Sequence, residues 1–432
     1  MFVSDCLDIN TRGHLTIGGC DTVSLAETFG TPLYVMDETA IREALREFKS
    51  AMDDYAAGGG RVAYASKACC FKELYRIVGE EGCGADVVSG GELYTALQAG
   101  FPADRLYFHG NNKSDAELRM ALEAGVGRIV VDNPAELRRL SAIAEEMGKT
   151  ASIYLRITPG VEAHTHSFIR TGQIDSKFGF TLESGEALQG AEEAARLKGV
   201  ALKGFHCHIG SQIFDDEPFV HAAEVMLDFM HQVRQKNGAV AGELNLGGGF
   251  GVKYLENDRP KSRREMVRLV AEAVSGRAAA LDFPCPYLVI EPGRSVVAEA
   301  GITLYTVGHV KDIPGVRTYV SVDGGMPDNP RYILYQSPYT ALIANRAGEL
   351  PDRTVTIAGR CCESGDLLQE NAPLQACSSG DILAVLATGA YNLSMSSNYN
   401  RLPRPAVVMT KEGEARVVVR GETYADLADR DV

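Results

Sequence analysis

No Cys-x-x-Cys pair occurs among the ten cysteines, which argues against a structural zinc ribbon, since such sites need thiolates at that spacing. The cysteines are scattered or directly adjacent, as in Cys69-Cys70 and Cys361-Cys362, rather than set in a bridging framework. The expectation is therefore a reduced, cytoplasmic chain. Nor is there an apolar run of about 18 residues, the length a spanning helix requires. The opening "MFVSDCLDIN" has mixed residues and no basic-plus-apolar leader. Positive charge is in short supply: 43 Lys and Arg face 57 Asp and Glu, a net charge of −14. Nucleic acid and anionic membrane are thus poor candidates for the main partner. No GxGxxG follows the first β-rich run, which weakens a dinucleotide-binding reading. Internal repeats and low-complexity segments are also lacking.

What is present is length and rhythm. The chain has 432 residues, enough for two domains. Eight β-rich runs alternate with helical patterns: "RVAYAS" (61–66), "GADVVS" (84–89), "RLYFHG" (105–110), "GRIVVD" (127–132), "ASIYLRI" (151–157), "VALKGFHCH" (200–208), "GELNLG" (242–247) and "YLVIEPG" (287–293). Helix starts are marked after several of them. Ser89-Gly90-Gly91-Glu92 and Ser114-Asp115-Ala116-Glu117 fit capping boxes. Asn133-Pro134-Ala135-Glu136 offers a cap, an N1 proline and an acid at N3. Eight strand–helix units predict a closed (β/α)8 barrel; an open doubly wound sheet shows the same alternation but has no reason to stop at eight. After about residue 300 short β-rich runs follow without long helical patterns, predicting an all-β second domain. The expected division is residues 1–35 as strands joining that β domain, 36–295 as the barrel and 296–432 as the β domain.

Barrel chemistry sits at the carboxyl ends of strands. Those ends carry Lys67, Asp86, Arg156, His206-Cys207-His208 with Ser211 and Gln212, Gly247-Gly248-Gly249, and Glu291-Pro292-Gly293-Arg294. Three consecutive glycines let backbone N–H groups approach an anion, and Ser211 adds a hydroxyl. A plain tight turn explains glycines equally well, but phosphate sites favour the loops after strands seven and eight. A lysine in a partly desolvated pocket becomes a nucleophile; alone, it reads as a snorkelling surface lysine. With a phosphate cradle, an imidazole to stack on a ring and Glu291 to face a ring nitrogen, the set describes a pyridoxal phosphate site. His206-x-His208 and His164-x-His166 could instead ligate a metal. The other strand ends offer Lys, Arg, Gly and Glu-Pro-Gly-Arg, a poor metal sphere, so no metal is expected. Core packing is the default for His206.

Seven stretches in order, "YASKACC", "GADVVSGGEL", "HCHIGSQ", "NLGGGFG", "EPGRS", "CCESGD" and "GAYNLSMSSNYN", resemble the alanine-racemase-fold (fold type III) pyridoxal phosphate decarboxylases. The resemblance runs from about residue 30 to about residue 400. Within that family "LRITPGVEAHTHSFIRTGQIDSKFGF" is similar to the members that act on diaminopimelate. The resemblance implies an N-terminal barrel, a C-terminal β domain and a homodimer with shared active sites. It implies that Lys67 carries pyridoxal 5'-phosphate and that His208 stacks on its ring. Asp86, Ser211, Gly248, Gly249, Gly293, Arg294, Tyr391 and Glu291 would hold the rest of the cofactor. Cys362 would be the proton donor, reaching in from the partner subunit with Glu363. Arg294, Arg331, Tyr335, Glu363 and Tyr391 would bind substrate. From spacing alone, Arg331 and Tyr335 read as a solvated loop of the β domain. The sequence departs from the common pattern at Cys69, where the family often has Asn, at Cys361, and at Tyr332, where proline is frequent.

The implied activity is decarboxylation of meso-2,6-diaminopimelate to L-lysine. A substrate that is an amino acid at both ends needs guanidinium groups for its distal carboxylate and an acid for its distal ammonium. A diamine-forming enzyme for ornithine would need no such cation. The competing expectations are a relative acting on carboxynorspermidine, ornithine or arginine, a non-catalytic regulator on the same scaffold, and a metal-dependent barrel hydrolase.

Overall fold

The computed structural model describes residues 2–161, 176–238 and 241–432. His164 and His166 lie outside the described residues. The chain divides into two compact units, one of Ala44–Gly251 and Pro260–Gly293, the other of Met1–Glu43, Val252–Arg259 and Arg294–Val432. Among the described residues no helix is long and apolar enough to cross a membrane.

The first unit is a closed parallel barrel of eight strands: Gly60–Ala65, Gly84–Val87, Leu106–Phe108, Arg128–Val131, Ala151–Thr158, Val200–His206, Glu243–Asn245 and Tyr287–Ile290. The last pairs with the first, Leu288 opposite Gly60 and Ile290 opposite Val62, which closes the ring. The open doubly wound alternative is thereby set aside. Inside, Ala63, Tyr107, Val130, Tyr154 and Val289, from five of the eight strands, form one buried cluster, so the interior is packed and chemistry is confined to the rim. Each strand is short and apolar because both its faces are covered.

The helices start where their caps put them. The Ser114 side chain accepts from the Glu117 N–H and Glu117 returns to the Ser114 N–H, a complete capping box. Asn133 caps the helix Pro134–Glu146 by accepting from the Glu136 N–H. At Ser89 only half the expected box forms. The Ser89 hydroxyl accepts from the Glu92 N–H at 3.2 Å. The Glu92 carboxylate instead takes the Val88 N–H at 2.8 Å, with the Ser66 oxygen 3.2 Å away. Glu92 is drawn away because the Val88 N–H, one residue ahead of the cap, takes its carboxylate.

The second unit is sheet-rich. Its main sheet has the order Leu367–Leu374, Arg353–Ala358, Arg317–Val322, Gly301–Ile313, Leu33–Asp37, Ala406–Lys411 and Glu414–Val419. Gly301–Ile313 is long enough to pair on several sides. It runs antiparallel to Arg317–Val322, Leu33–Asp37 and Ile382–Leu386. Elements not expected from the sequence include the helix Thr22–Phe29, capped by Asp21, and the strand Leu367–Leu374.

Candidate active site

The barrel rim is built around one buried acid. Glu291 follows strand eight and is 7 % exposed. Its Oε1 accepts from Asn245 Nδ2 at 2.6 Å, and its Oε2 lies 3.2 Å from His206 Nε2. His109 Nε2 sits 2.8 Å from Oε1, without the alignment of a full hydrogen bond. The two imidazoles meet edge to face, with centroids 4.8 Å apart. Burial alone would raise the Glu291 pKa, but His109 and His206 outweigh it and hold the carboxyl well below the usual range. Burial pushes His206 down to about 4, so it serves as a neutral donor. Asp86, in strand two, goes the other way: burial, then the charge of Glu291, raise it well above the ordinary value. Its Oδ1 accepts from the Ser66 N–H at 2.8 Å, while the Ser66 hydroxyl bonds the Asp86 carbonyl. Two carboxyls close enough to repel are thus driven apart in pKa, leaving Glu291 as the anion.

His206 was expected to be packing, and His109 was not singled out. The structure makes both partners of Glu291. His109, His206 and Glu291 also place three possible metal-ligand atoms within 4.8 Å of one another. The amide hydrogen that Asn245 directs at Oε1 occupies the same carboxylate, which is the geometry of a hydrogen-bonded anion.

Lys67 sits in the tight turn Ser66–Ala68 and is exposed in this chain, not desolvated as expected. Its neighbours Ser66, Ala68 and Cys69 are buried, so the backbone is fixed while the amine stays free to reach. His208 is half-buried; burial, then the charge of Lys67, hold it well below its ordinary pKa, so it is a neutral ring. Its Nδ1 accepts from the Gly248 N–H at 3.3 Å.

The glycines have a steric reason. A Cβ at Gly248 would overlap the Glu291 carbonyl, one at Gly249 would lie 2.5 Å from the Gly210 carbonyl, and Gly249 has φ +109°. Gly293 is pressed against strand one, where a Cβ would lie 2.8 Å from that of Ala65. The Gly247 N–H is spent on Asn245 Oδ1 at 2.9 Å. The Ile213 N–H donates to Gly249 O at 2.9 Å, which fixes the Gly210-Ser211-Gln212 loop beside the glycines. Farther round the rim, the Arg156 guanidinium stacks on Phe178 at 4.2 Å and lies 4.0 Å from Asp132. An aromatic aldehyde with a phosphate arm finds matching chemistry here: an amine, a neutral ring, a buried anion for a ring N–H, and glycine backbone.

In the β unit, Arg331 and Arg294 are buried, at 4 % and 6 % exposure. Arg331 starts the short helix Arg331–Tyr335. Its Nη1 donates to Tyr339 Oη at 3.0 Å, and its guanidinium lies 4.9, 6.0 and 5.4 Å from the ring centres of Tyr254, Tyr335 and Tyr339. Burial opposes its charge, but the ring oxygens of Tyr254 and Tyr339 hold its pKa above the ordinary value. Arg294 donates to Tyr254 Oη at 2.5 Å and lies 4.7 Å from the ring centre of Tyr391. Tyr391 takes φ +62°. Arg331 is no solvated loop residue; it is buried, and its Nε has no hydrogen-bond partner among the described residues. Tyr254 and Tyr339 were not expected; nothing in their sequence surroundings marks them.

Cys362 and Glu363 are exposed in the single chain. The Cys362 N–H donates to Asn400 Oδ1 at 2.7 Å. Cys361 is half-buried, and burial, then Asp366, push its thiol up to about 12. Cys69 is buried, in keeping with packing.

Residues 38–298 match the family described as pyridoxal-dependent decarboxylase, pyridoxal binding domain. The chain is 53% identical over 433 residues to the diaminopimelate decarboxylase of Bacillus subtilis (strain 168), covering 100% of this chain and 98% of that one. It is 50% identical over 432 residues to that of Halalkalibacterium halodurans, again covering 100% and 98%. The crystal structure of diaminopimelate decarboxylase from M. jannaschii in co-complex with L-lysine superposes with a TM-score of 0.93 at 35% identity, covering 100% of this chain and 99% of that one.

Proposed function

This chain belongs to the pyridoxal-dependent decarboxylases, and on that premise we propose that it removes one carboxylate of meso-2,6-diaminopimelate to give L-lysine and carbon dioxide. The observation that carries the substrate choice is Arg331, a buried guanidinium whose Nε has no hydrogen-bond partner among the described residues. An unpaired buried charge costs several kcal/mol, on the order of 3 to 5. A site that keeps one is shaped for an incoming anion, and the distal carboxylate of this substrate is one.

The residues divide the work as follows. Lys67 would hold pyridoxal 5'-phosphate through its amine, the neutral ring of His208 would flank it, and the Glu291 carboxylate would serve as acceptor for a ring N–H. Ser211, Gly248, Gly249, Gly293 and Arg294 would hold its phosphate; Asp86 fixes the Ser66 loop that sets Lys67, and Tyr391 flanks Arg294. When bound, the cofactor supplies an electron sink for the pair left when carbon dioxide departs. Arg331, with Arg294, Tyr335 and Tyr391, orients the distal carboxylate, and Glu363 takes the distal ammonium. Cys362 gives its thiol proton to the α-carbon and regains one from solvent. We place Cys362 and Glu363 in the site of a second copy: both are exposed in the single chain and so available to a partner. The active form is then a homodimer, working in the reducing cytoplasm where its ten free cysteines persist.

The test is carbon dioxide release by the purified chain from meso-diaminopimelate and from ornithine. Release from diaminopimelate is expected, with Lys67→Ala losing the cofactor's visible absorption and nearly all turnover. Arg331→Ala should lower kcat/KM for diaminopimelate by roughly 10- to 150-fold, the range for a charge-assisted hydrogen bond. A chain that turns over ornithine and not diaminopimelate overturns the substrate choice.

A further inference from the structure

The loop that carries Cys362 is held by a single buried acid that the mechanism above does not use. Asp366 is 2 % exposed. Its Oδ2 accepts from the Cys361 N–H at 2.7 Å, and its Oδ1 accepts from the Met326 N–H at 2.6 Å. Two glycines make room for it. A Cβ at Gly359 would overlap the Asp366 carboxylate, and one at Gly325 would lie 2.5 Å from it. Backbone bonds complete the tie: Gly359 N to Asp366 O at 2.9 Å, Asp366 N to Glu363 O at 3.0 Å, and Arg360 N to Gly324 O at 2.9 Å. The residue after Cys361 is the exposed Cys362, whose own N–H is taken by Asn400. Asn400 is itself held at φ +51°.

A thiol on an exposed loop loses its aim unless the backbone on both sides is fixed. Here the N–H groups of Cys361 and Cys362 are each bonded by a side chain from elsewhere in the sequence. The same carboxylate grips Met326, five residues before Arg331. One acid therefore locks the loop of the proton donor to the loop that leads into the substrate-binding arginine. We propose that Asp366 is a positioning residue, fixing the Cys361–Cys362 backbone so that the Cys362 thiol is aimed for proton delivery. This rests on the reading of Cys362 as the donor. In that step the S–H bond breaks, a C–H bond forms at the α-carbon, and the thiolate is reprotonated by water.

The test compares wild type, Cys362→Ala, Asp366→Ala and Asp366→Asn as cofactor-loaded enzymes. The readouts are kcat, KM and the solvent deuterium isotope effect on kcat. Asp366→Asn keeps the shape but turns one acceptor oxygen into an NH2 group, so it can satisfy only one of the two N–H groups. It serves as the decisive variant if the alanine form does not fold. The expected result is a kcat loss of about 100-fold, the scale of a group misplaced by about 1 Å. KM should change less, and the solvent isotope effect should rise as proton delivery becomes limiting. Simple destabilisation would lower kcat by depleting folded enzyme and leave the isotope effect at the wild-type value. Asp366→Asn with wild-type kcat and isotope effect, beside a crippled Cys362→Ala, overturns the inference alone. A Cys362→Ala enzyme with wild-type kcat and isotope effect overturns the donor assignment, and this inference with it.

Discussion

Glu291 keeps its charge in a place where burial works against it, because His109 and His206 together outweigh that burial. His206, held down to about 4 by burial, has an ordinary pKa of about 6.5. Between those values the unfolded chain binds a proton that the folded chain does not. Stability therefore falls as pH drops from about 6.5 towards about 4, and this contribution is fully regained above about 6.5. The deficit from this one group is about 2 kcal/mol at about pH 5. His206→Gln keeps an N–H for Glu291 but cannot titrate. Denaturant unfolding at about pH 7 and about pH 5 should show a smaller acid loss in that variant than in wild type; an equal loss contradicts the assignment. None of this could be drawn from the spacing His206-x-His208, because His206 acquires its role from Glu291, which lies 85 residues on and meets it through barrel closure.

At the scale of elements, the helix Pro134–Glu146 is fastened by a buried ion pair. Lys113 Nζ bonds Glu136 Oε1 at 2.7 Å along with the carbonyls of Gly110 and Val130, and both side chains are 1 % exposed. Burial lowers the Lys113 pKa and raises that of Glu136. Glu136→Ala leaves the ammonium buried and unpaired, and should cost about 3 to 5 kcal/mol in thermal or denaturant unfolding. The double change Lys113→Met with Glu136→Leu should cost clearly less; equal costs would mean that the pair is not the source. Strong periodicity and caps made the barrel strands and their helices readable, down to the box at Ser114. The strand Leu367–Leu374 escaped because Asn371 takes φ +52° and the pairing with Arg353–Ala358 shifts register, which breaks the alternation that marks a strand. Glu92 left its box because the Val88 N–H, one residue ahead of the cap, took its carboxylate.

For the whole molecule, chain order separates what the fold assembles. Arg331 looked like a surface residue in sequence because the rings around it come from positions 254, 335 and 339, and Tyr254 belongs to a short segment that crosses into the β unit. The shared-site proposal makes a prediction at this scale. Lys67→Ala and Cys362→Ala, each nearly inactive alone, should regain about a quarter of the wild-type rate when their subunits are mixed. Half of the random pairs are then mixed, and each mixed pair has one intact site. No recovery in a preparation shown to exchange subunits would place Cys362 in its own chain's site.

Everything proposed for the reaction turns on the amine of residue 67. Borohydride reduction of the resting enzyme, followed by peptide mass mapping, reads that amine directly. The account predicts a single pyridoxyl phosphate adduct on the peptide containing Lys67 and none on that containing Lys113. An enzyme that releases carbon dioxide from diaminopimelate while Lys67 stays unmodified, or that carries the adduct on another lysine, contradicts it.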